Sequence, residues 1–141
     1  MIGYLEKLRK GCPPFFDEIP NRCSQVRIRV NRVRELKYNN ACRLAEIALL
    51  GCENNRERHA AVDDFMLIND SFTVAVEVPV WLYEKSLGMR MNGQVDVLQV
   101  RGGKVSVFDI KPDADKEKTE PVKSQMYRYS CRACPSGPAF P

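Results

Sequence analysis

The chain has 141 residues, 44% of them hydrophobic and 28% charged, with a formal net charge of +4. This is a normal globular composition, and no internal repeat or low-complexity linker divides it, so a single domain over 1–141 is expected. No apolar run approaches the ~20 residues needed to span a bilayer, and the start, MIGYLEKLRKG, lacks the long apolar core of a secretory signal, which predicts a cytoplasmic protein with no membrane partner.

Residues 1–40 are the least readable segment, interrupted by Pro13, Pro14 and Pro20. Within them Val26, Arg27, Ile28, Arg29 and Val30 alternate like a strand with one basic face. Arg27, Arg29, Arg32, Arg34 and Lys37 gather ahead of the first long helix. This cluster either follows nucleic-acid phosphates through counterion release or is a solvated face. The stretch 41–50 reads as a helix stopped by Gly51. A second helix, 54–68, carries the only histidine, His59, with Asp63 one turn later on the same face. Three strands follow, at 72–82, 91–100 and 105–111. Pro79 marks the first as an edge, because proline cannot donate to a ladder. A closing helix is predicted from Pro121, whose missing N–H is not needed at the first helical position. Val122, Gln125 and Tyr129 then fall on one stripe facing the sheet. The expected fold is α/β with a mixed sheet between helices.

Gly102 and Gly103 between the last two strands signal a tight hairpin, because primed turns need positive φ. If Arg101 pairs with Lys104, Val100 falls opposite Val105, Leu98 opposite Val107, and Asp96 opposite Asp109. Opposed Cβ atoms lie ~4.5–5.5 Å apart, where like charges destabilise a sheet unless a cation sits between them. Lys111 points to the same face by the period of two. The acid-bearing face carries Leu98, Val100, Val105 and Val107; the other carries Val95, Val97, Phe108 and Ile110. Strands covered on both faces rarely bear unpaired acids. Two readings follow from spacing: a metal site with an ammonium beside it, or a surface ion cluster at the hairpin's open end.

The string GQVDVLQVRGGKVSVFDIKP followed by KSQMYRY resembles the PD-(D/E)XK nuclease superfamily, and specifically its RecB-like branch. Asp96 matches the first acid, Asp109-Ile110-Lys111 the (D/E)XK tripeptide, and Gln125 with Tyr129 the QxxxY element. His59 is similar to the histidine of the branch's first motif, and Glu77 to the acid on its first core strand. The likeness runs over 59–129, about half the chain. It implies a restriction-endonuclease-like core with helix, sheet and helix layers in αβββα order. It also implies Mg2+ or Mn2+ held by Asp96, Asp109 and the Ile110 carbonyl, with His59 and Glu77 as further ligands. Hard oxygen donors suit both ions. Lys111 would orient or polarise the attacking water and stabilise the transition state. Gln125 would sit near metal waters or a phosphate, and Tyr129 would anchor its helix or stack on a base. Without the resemblance, His59 reads as an ordinary helical residue, Glu77 as an edge-strand acid facing water, and Gln125 with Tyr129 as a helix border.

Six cysteines, Cys12, Cys23, Cys42, Cys52, Cys131 and Cys134, suggest ligation or buried thiols rather than disulfides in a cytoplasmic chain. Cys131 and Cys134 have metal-ligand spacing, and some RecB-like nucleases hold an iron-sulfur cluster with one upstream and three C-terminal cysteines. Two thiols alone make no closed site, so neither cluster nor zinc is expected. The tail 131–141 departs abruptly in composition from the helix before it. It is expected to be disordered and non-native, through a truncated or shifted reading frame, with activity impaired although every motif residue is present. Three functions are consistent with these features. The first is a metal-dependent deoxyribonuclease in repair, recombination or defence. The others are an inactive DNA-binding module of the same fold and a cysteine-metal regulator.

Overall fold

A computed structural model of the protein describes residues 2–11, 14–25, 39–54, 57–85, 87–111 and 119–133. The expected strand at 26–30, the basic cluster from Arg27 to Lys37, Cys12 and Cys134 lie outside them. Three antiparallel strands, β1 (Thr73–Glu84), β2 (Met89–Arg101) and β3 (Lys104–Phe108), form a sheet in the order β1-β2-β3. Helices α1 (Ile2–Leu8), α2 (Asn40–Leu49), α3 (Arg58–Asn69) and α4 (Thr119–Ala133) surround it. The described protein is therefore a mixed α+β fold. None of its described helices is long and apolar enough to cross a membrane.

The hairpin has the expected register: Arg101 opposes Lys104, Val100 opposes Val105 and Leu98 opposes Val107. Gly102 and Gly103 both take positive φ, +55° and +73°, which a Cβ-bearing residue would resist. β3 ends at Phe108, three residues short of the expected Lys111. The cause is local. The Ile110 N–H donates to the Asp96 carboxylate and so leaves the ladder, and Asp96 and Asp109 are not a ladder pair.

α2 starts where a polar side chain takes one of the first backbone donors. Asn39 accepts from the Ala41 N–H at 2.9 Å and caps α2. Asn54 does not begin a helix, because its side chain turns back on Glu57, accepting from the Glu57 N–H at 3.1 Å and donating to its carboxylate at 2.7 Å. α3 thus begins four residues later than its pattern suggested. Asp70 ends α3 and fixes β1 to β2, accepting from the Phe72 N–H, the Thr73 hydroxyl and the Gln99 amide. α4 begins two residues before Pro121 and runs through Ala133, so the first three residues of the suspect tail continue the helix.

Two apolar clusters lie on opposite faces of the sheet. Val97 packs with Val76, Phe108 and Ile110 against Ala41, Val62 and Met66 of α2 and α3. Leu98, Val78, Val80, Met91 and Val95 pack with Tyr129 of α4, joined by Tyr4, Leu5 and Leu8 of α1. The face assignment of Val95 is corrected here. Val95 and Val97 lie two apart on one strand yet face opposite layers, as do Val78 and Val76 on the neighbouring strand. The alternation changes phase at Glu77 and Asp96. Val76 opposes Val97 and Val78 opposes Val95, but the pair between them forms no ladder contact, and Glu77 takes a φ of +51°.

The N-terminal residues, opaque to pattern reading, pack on the sheet's far end. Tyr4, Phe15 and Phe16 gather around Trp81 with ring centroids 5.4, 6.0 and 6.2 Å away. Asn92 accepts from the Cys23 N–H, donates its own N–H to Asn21 and donates its side-chain amide to Phe16.

Candidate active site and metal centre

Four elements and the segment after β3 converge where the strand alternation changes phase. β2 supplies Asp96, buried between the two layers. The segment after β3 supplies Asp109, Ile110 and Lys111, and α4 supplies Gln125 and Tyr129. α3 brings His59 and Asp63 from the other side, and β1 brings Glu77.

Asp109 is fixed from two directions. Lys111 Nζ lies 2.8 Å from its Oδ2, and the Gln125 side-chain amide donates to its Oδ1 at 2.9 Å. The same amide nitrogen donates to the Tyr129 hydroxyl at 2.9 Å, which also accepts from the Gln94 N–H at 3.2 Å. Tyr129 is 2% exposed and ties α4 to β2. Burial pushes its hydroxyl up to about 12, against the opposing effect of the Gln125 and Gln94 donors. Gly93, three residues before Asp96 on β2, has a packing reason: a Cβ there would stand 2.7 Å from the Tyr129 hydroxyl oxygen.

Asp96 is held up from its ordinary value first by burial and then by Asp109; the Ile110 N–H, Lys111 and His59 act against the rise. The two hairpin acids therefore act on each other although they are not ladder partners. His59 is half-buried and acts on Asp96. Glu77 is exposed, and its charge acts on buried Asp63. Of the expected residues, Asp109, Lys111, Gln125 and Tyr129 are joined by direct contacts and Asp96 is tied to Ile110, whereas His59 acts on Asp96 and Glu77 on Asp63 through charge.

Asp63 was recognised only as a neighbour of His59. It is 5% exposed, and among the described residues nothing donates to its Oδ1. Burial first, then the charge of Glu77, push its carboxyl up to about 7. Arg128 was also missed; it is buried in α4 and donates to the Cys23 carbonyl at 3.0 Å, joining the N-terminal segment to the site helix. An i, i+4 stripe of Ser124 and Arg128 beside Gln125 and Tyr129 was the available signal.

Among the described residues no three carboxylate, imidazole or thiolate side chains close a ready-made metal cage. The donor set nonetheless fits a hard divalent ion, which binds through one or two carboxylates and keeps its waters. Of the described thiols, Cys23 is buried, Cys42 exposed and Cys52 half-buried. Comparison with family models, characterised proteins and solved structures gives no match to this chain.

Proposed function

We propose that the protein is a Mg2+- or Mn2+-dependent nuclease that hydrolyses DNA phosphodiester bonds, with a restriction-endonuclease-like core of the RecB-like PD-(D/E)XK type. The observation that carries this reading is the chain of contacts Lys111–Asp109–Gln125–Tyr129 beside buried Asp96, formed by the residues that the motif resemblance selected. The helix, three strands and helix from α3 to α4 agree with the αβββα order.

Asp96 and Asp109 would hold the ion, with the Ile110 carbonyl, His59 and Glu77 at its margins. Such an ion makes water acidic enough to attack at neutral pH and neutralises charge gathering on the phosphate. The chain's own residues do the positioning. Gln125 fixes the rotation of the Asp109 carboxylate, Tyr129 fixes Gln125, and the Ile110 N–H holds Asp96. Lys111 keeps an ammonium 2.8 Å from Asp109, where it can orient water and meet negative charge on phosphate. Arg101 and Lys104, exposed at the hairpin tip, add positive surface for the nucleic-acid backbone.

The test is incubation of the protein with single- and double-stranded DNA, with Mg2+, Mn2+ or a chelator. Cleavage that needs the metal and disappears in Asp109→Ala and Lys111→Ala supports the reading. Equal cleavage by either variant refutes it, and metal-independent DNA binding without cleavage identifies an inactive binding module instead.

A further inference from the structure

The segment that opens the chain has two faces of opposite character. Tyr4, Leu5 and Leu8 of α1 pack into the apolar cluster that holds Tyr129 and Met126 of α4. On the other side Gly3, Glu6, Lys7, Arg9 and Lys10 are exposed and line a groove of about 680 Å3. Of these five described residues three are cations and one is an acid, and none of the three cations is ion-paired to a described residue. One cation in the last turn, Lys7, already complements the helix dipole. Arg9 and Lys10 add two more to the same concave surface, and a cleft dominated by one sign of charge concentrates ions of the other.

This groove is fastened to the candidate active site by a short chain of contacts. The Tyr4 hydroxyl donates to the Pro79 carbonyl, and Pro79 opposes Gln94 on β2. The Gln94 N–H donates to the Tyr129 hydroxyl, which accepts from Gln125 beside Asp109. Gln94 lies two residues before Asp96, about 7 Å along the strand at ~3.4 Å per residue. Exposed Arg101, at the hairpin tip with Lys104, lies five residues beyond Asp96 in the other direction, about 17 Å by the same rise. The acids that would meet the cleaved phosphate thus lie, along β2, between two groups of cations. An extended polyanion can meet both groups and the acids at once; a small anion cannot.

We infer that the groove on α1 binds the sugar-phosphate backbone of DNA away from the cleaved bond, through Lys7, Arg9 and Lys10. The inference rests on the nuclease reading for the choice of polyanion. Contacts of this kind fix register and add affinity without reading sequence. Because they release counterions, they also make that affinity depend on salt.

Binding of a fluorescein-labelled DNA duplex to the full chain is followed by fluorescence anisotropy in EDTA over a range of salt concentrations. Loss of three phosphate contacts in Lys7→Gln/Arg9→Gln/Lys10→Gln is expected to lower the slope of log affinity against log salt by about 2–3. At low salt it is expected to weaken binding by at least about tenfold, equally for unrelated sequences. Glu6→Gln, which removes the acid from the same groove, acts in the opposite direction and tightens binding. Circular dichroism establishes that the variants are folded; should the triple variant not fold, Lys10→Gln, beyond the end of α1, carries the test with a slope lowered by about 1. Parental slope and affinity in the charge-removed variant overturn the inference and leave the nuclease reading standing, because metal-dependent cleavage and its loss in Asp109→Ala are measured separately. A variant that loses affinity for phosphatidylserine vesicles but not for DNA also overturns it and assigns the groove to a lipid surface. A parent that does not bind the duplex overturns the inference, and the nuclease reading falls with it only when metal-dependent cleavage is absent as well.

Discussion

Gly93→Ala puts a methyl group into the wall of the site. The added Cβ would lie 2.7 Å from the Tyr129 hydroxyl oxygen, 2.8 Å from its Cε1 and 3.1 Å from its Cζ, all on a rigid and buried ring. The ring must move as a unit. Overpacking of this kind costs about 1–3 kcal/mol, and displacement of the hydroxyl weakens its bonds from Gln94 and Gln125, at about 0.5–1.5 kcal/mol each. Alanine is otherwise preferred over glycine in a strand by roughly 0.5–1 kcal/mol. The net expectation is a loss of about 2–4 kcal/mol in the parent background and a neutral or slightly stabilising effect once Tyr129→Ala has removed the ring. Urea denaturation of the four proteins in this cycle, with unchanged m-values, measures the coupling. Additive single changes, with no coupling beyond about 0.5 kcal/mol, would refute the packing of Tyr129 on Gly93. Because Tyr129 positions Gln125 and Gln125 positions Asp109, the same substitution is expected to slow DNA cleavage by about 10- to 100-fold, the usual cost of a small misplacement.

Lys111→Met is expected to slow single-turnover cleavage by about 10²–10³-fold, as loss of one charge-stabilising donor does, while DNA affinity changes by less than about threefold; equal losses in both would refute its role beside the reacting phosphate. Asp70→Ala removes the acceptor shared by Phe72, Thr73 and Gln99 and should cost about 1–3 kcal/mol in chemical denaturation, with cleavage per folded molecule unchanged. Burial pushes the Cys23 thiol from 9.0 to about 11, against the opposing effect of Arg128. A folded-state value above the unfolded one means stability that is complete below pH 9.0 and lost as pH rises to about 11. The loss is about 2–3 kcal/mol at 1.36 kcal/mol per pH unit. Cys23→Ala should melt at a lower temperature at neutral pH but lack this alkaline decline, and parallel pH profiles would contradict the burial argument.

The sequence made the hairpin legible because a Gly-Gly turn constrains both strands at once, and one pair fixes all the others. The motif resemblance grouped His59, Glu77, Asp96, Asp109, Lys111, Gln125 and Tyr129, and direct contacts join Lys111, Asp109, Gln125 and Tyr129 among them. What the sequence concealed follows from the assumption of unbroken periodicity. The period of two placed Val95 beside Val97, and it failed because the alternation changes phase in both strands at the unformed pair of left-handed Glu77 and Asp96. β3 was overextended because nothing local announces that the Ile110 N–H will go to a side chain fourteen residues away. Asp63 was invisible as a buried group because a helix turn containing Asp63 and Asp64 reads as a polar face; only packing of α3 on the sheet separates the buried acid from its exposed neighbour. The N-terminal prolines suggested an interruption, yet Tyr4, Phe15 and Phe16 meet across that interruption on Trp81.

The places where local rules fail are concentrated in one region of the molecule. A left-handed glutamate, an unformed ladder pair, an aspartate enclosed among acids and a second buried aspartate all lie within the few residues joining α3, β1 and β2. Each departure costs stability: roughly 1–3 kcal/mol for the backbone alone, and more for buried carboxyls that lack a cation. Elsewhere the described fold obeys its rules, with glycines at the turn, a side-chain cap on α2 and apolar residues in two clusters. Clustering of this sort is what functional sites show when rigid surroundings impose unfavourable geometry on a few residues. The divalent cation proposed for Asp96 and Asp109 would relieve part of these costs by pairing with both carboxylates. The same surplus of negative charge that destabilises the metal-free site is what would make it bind the ion.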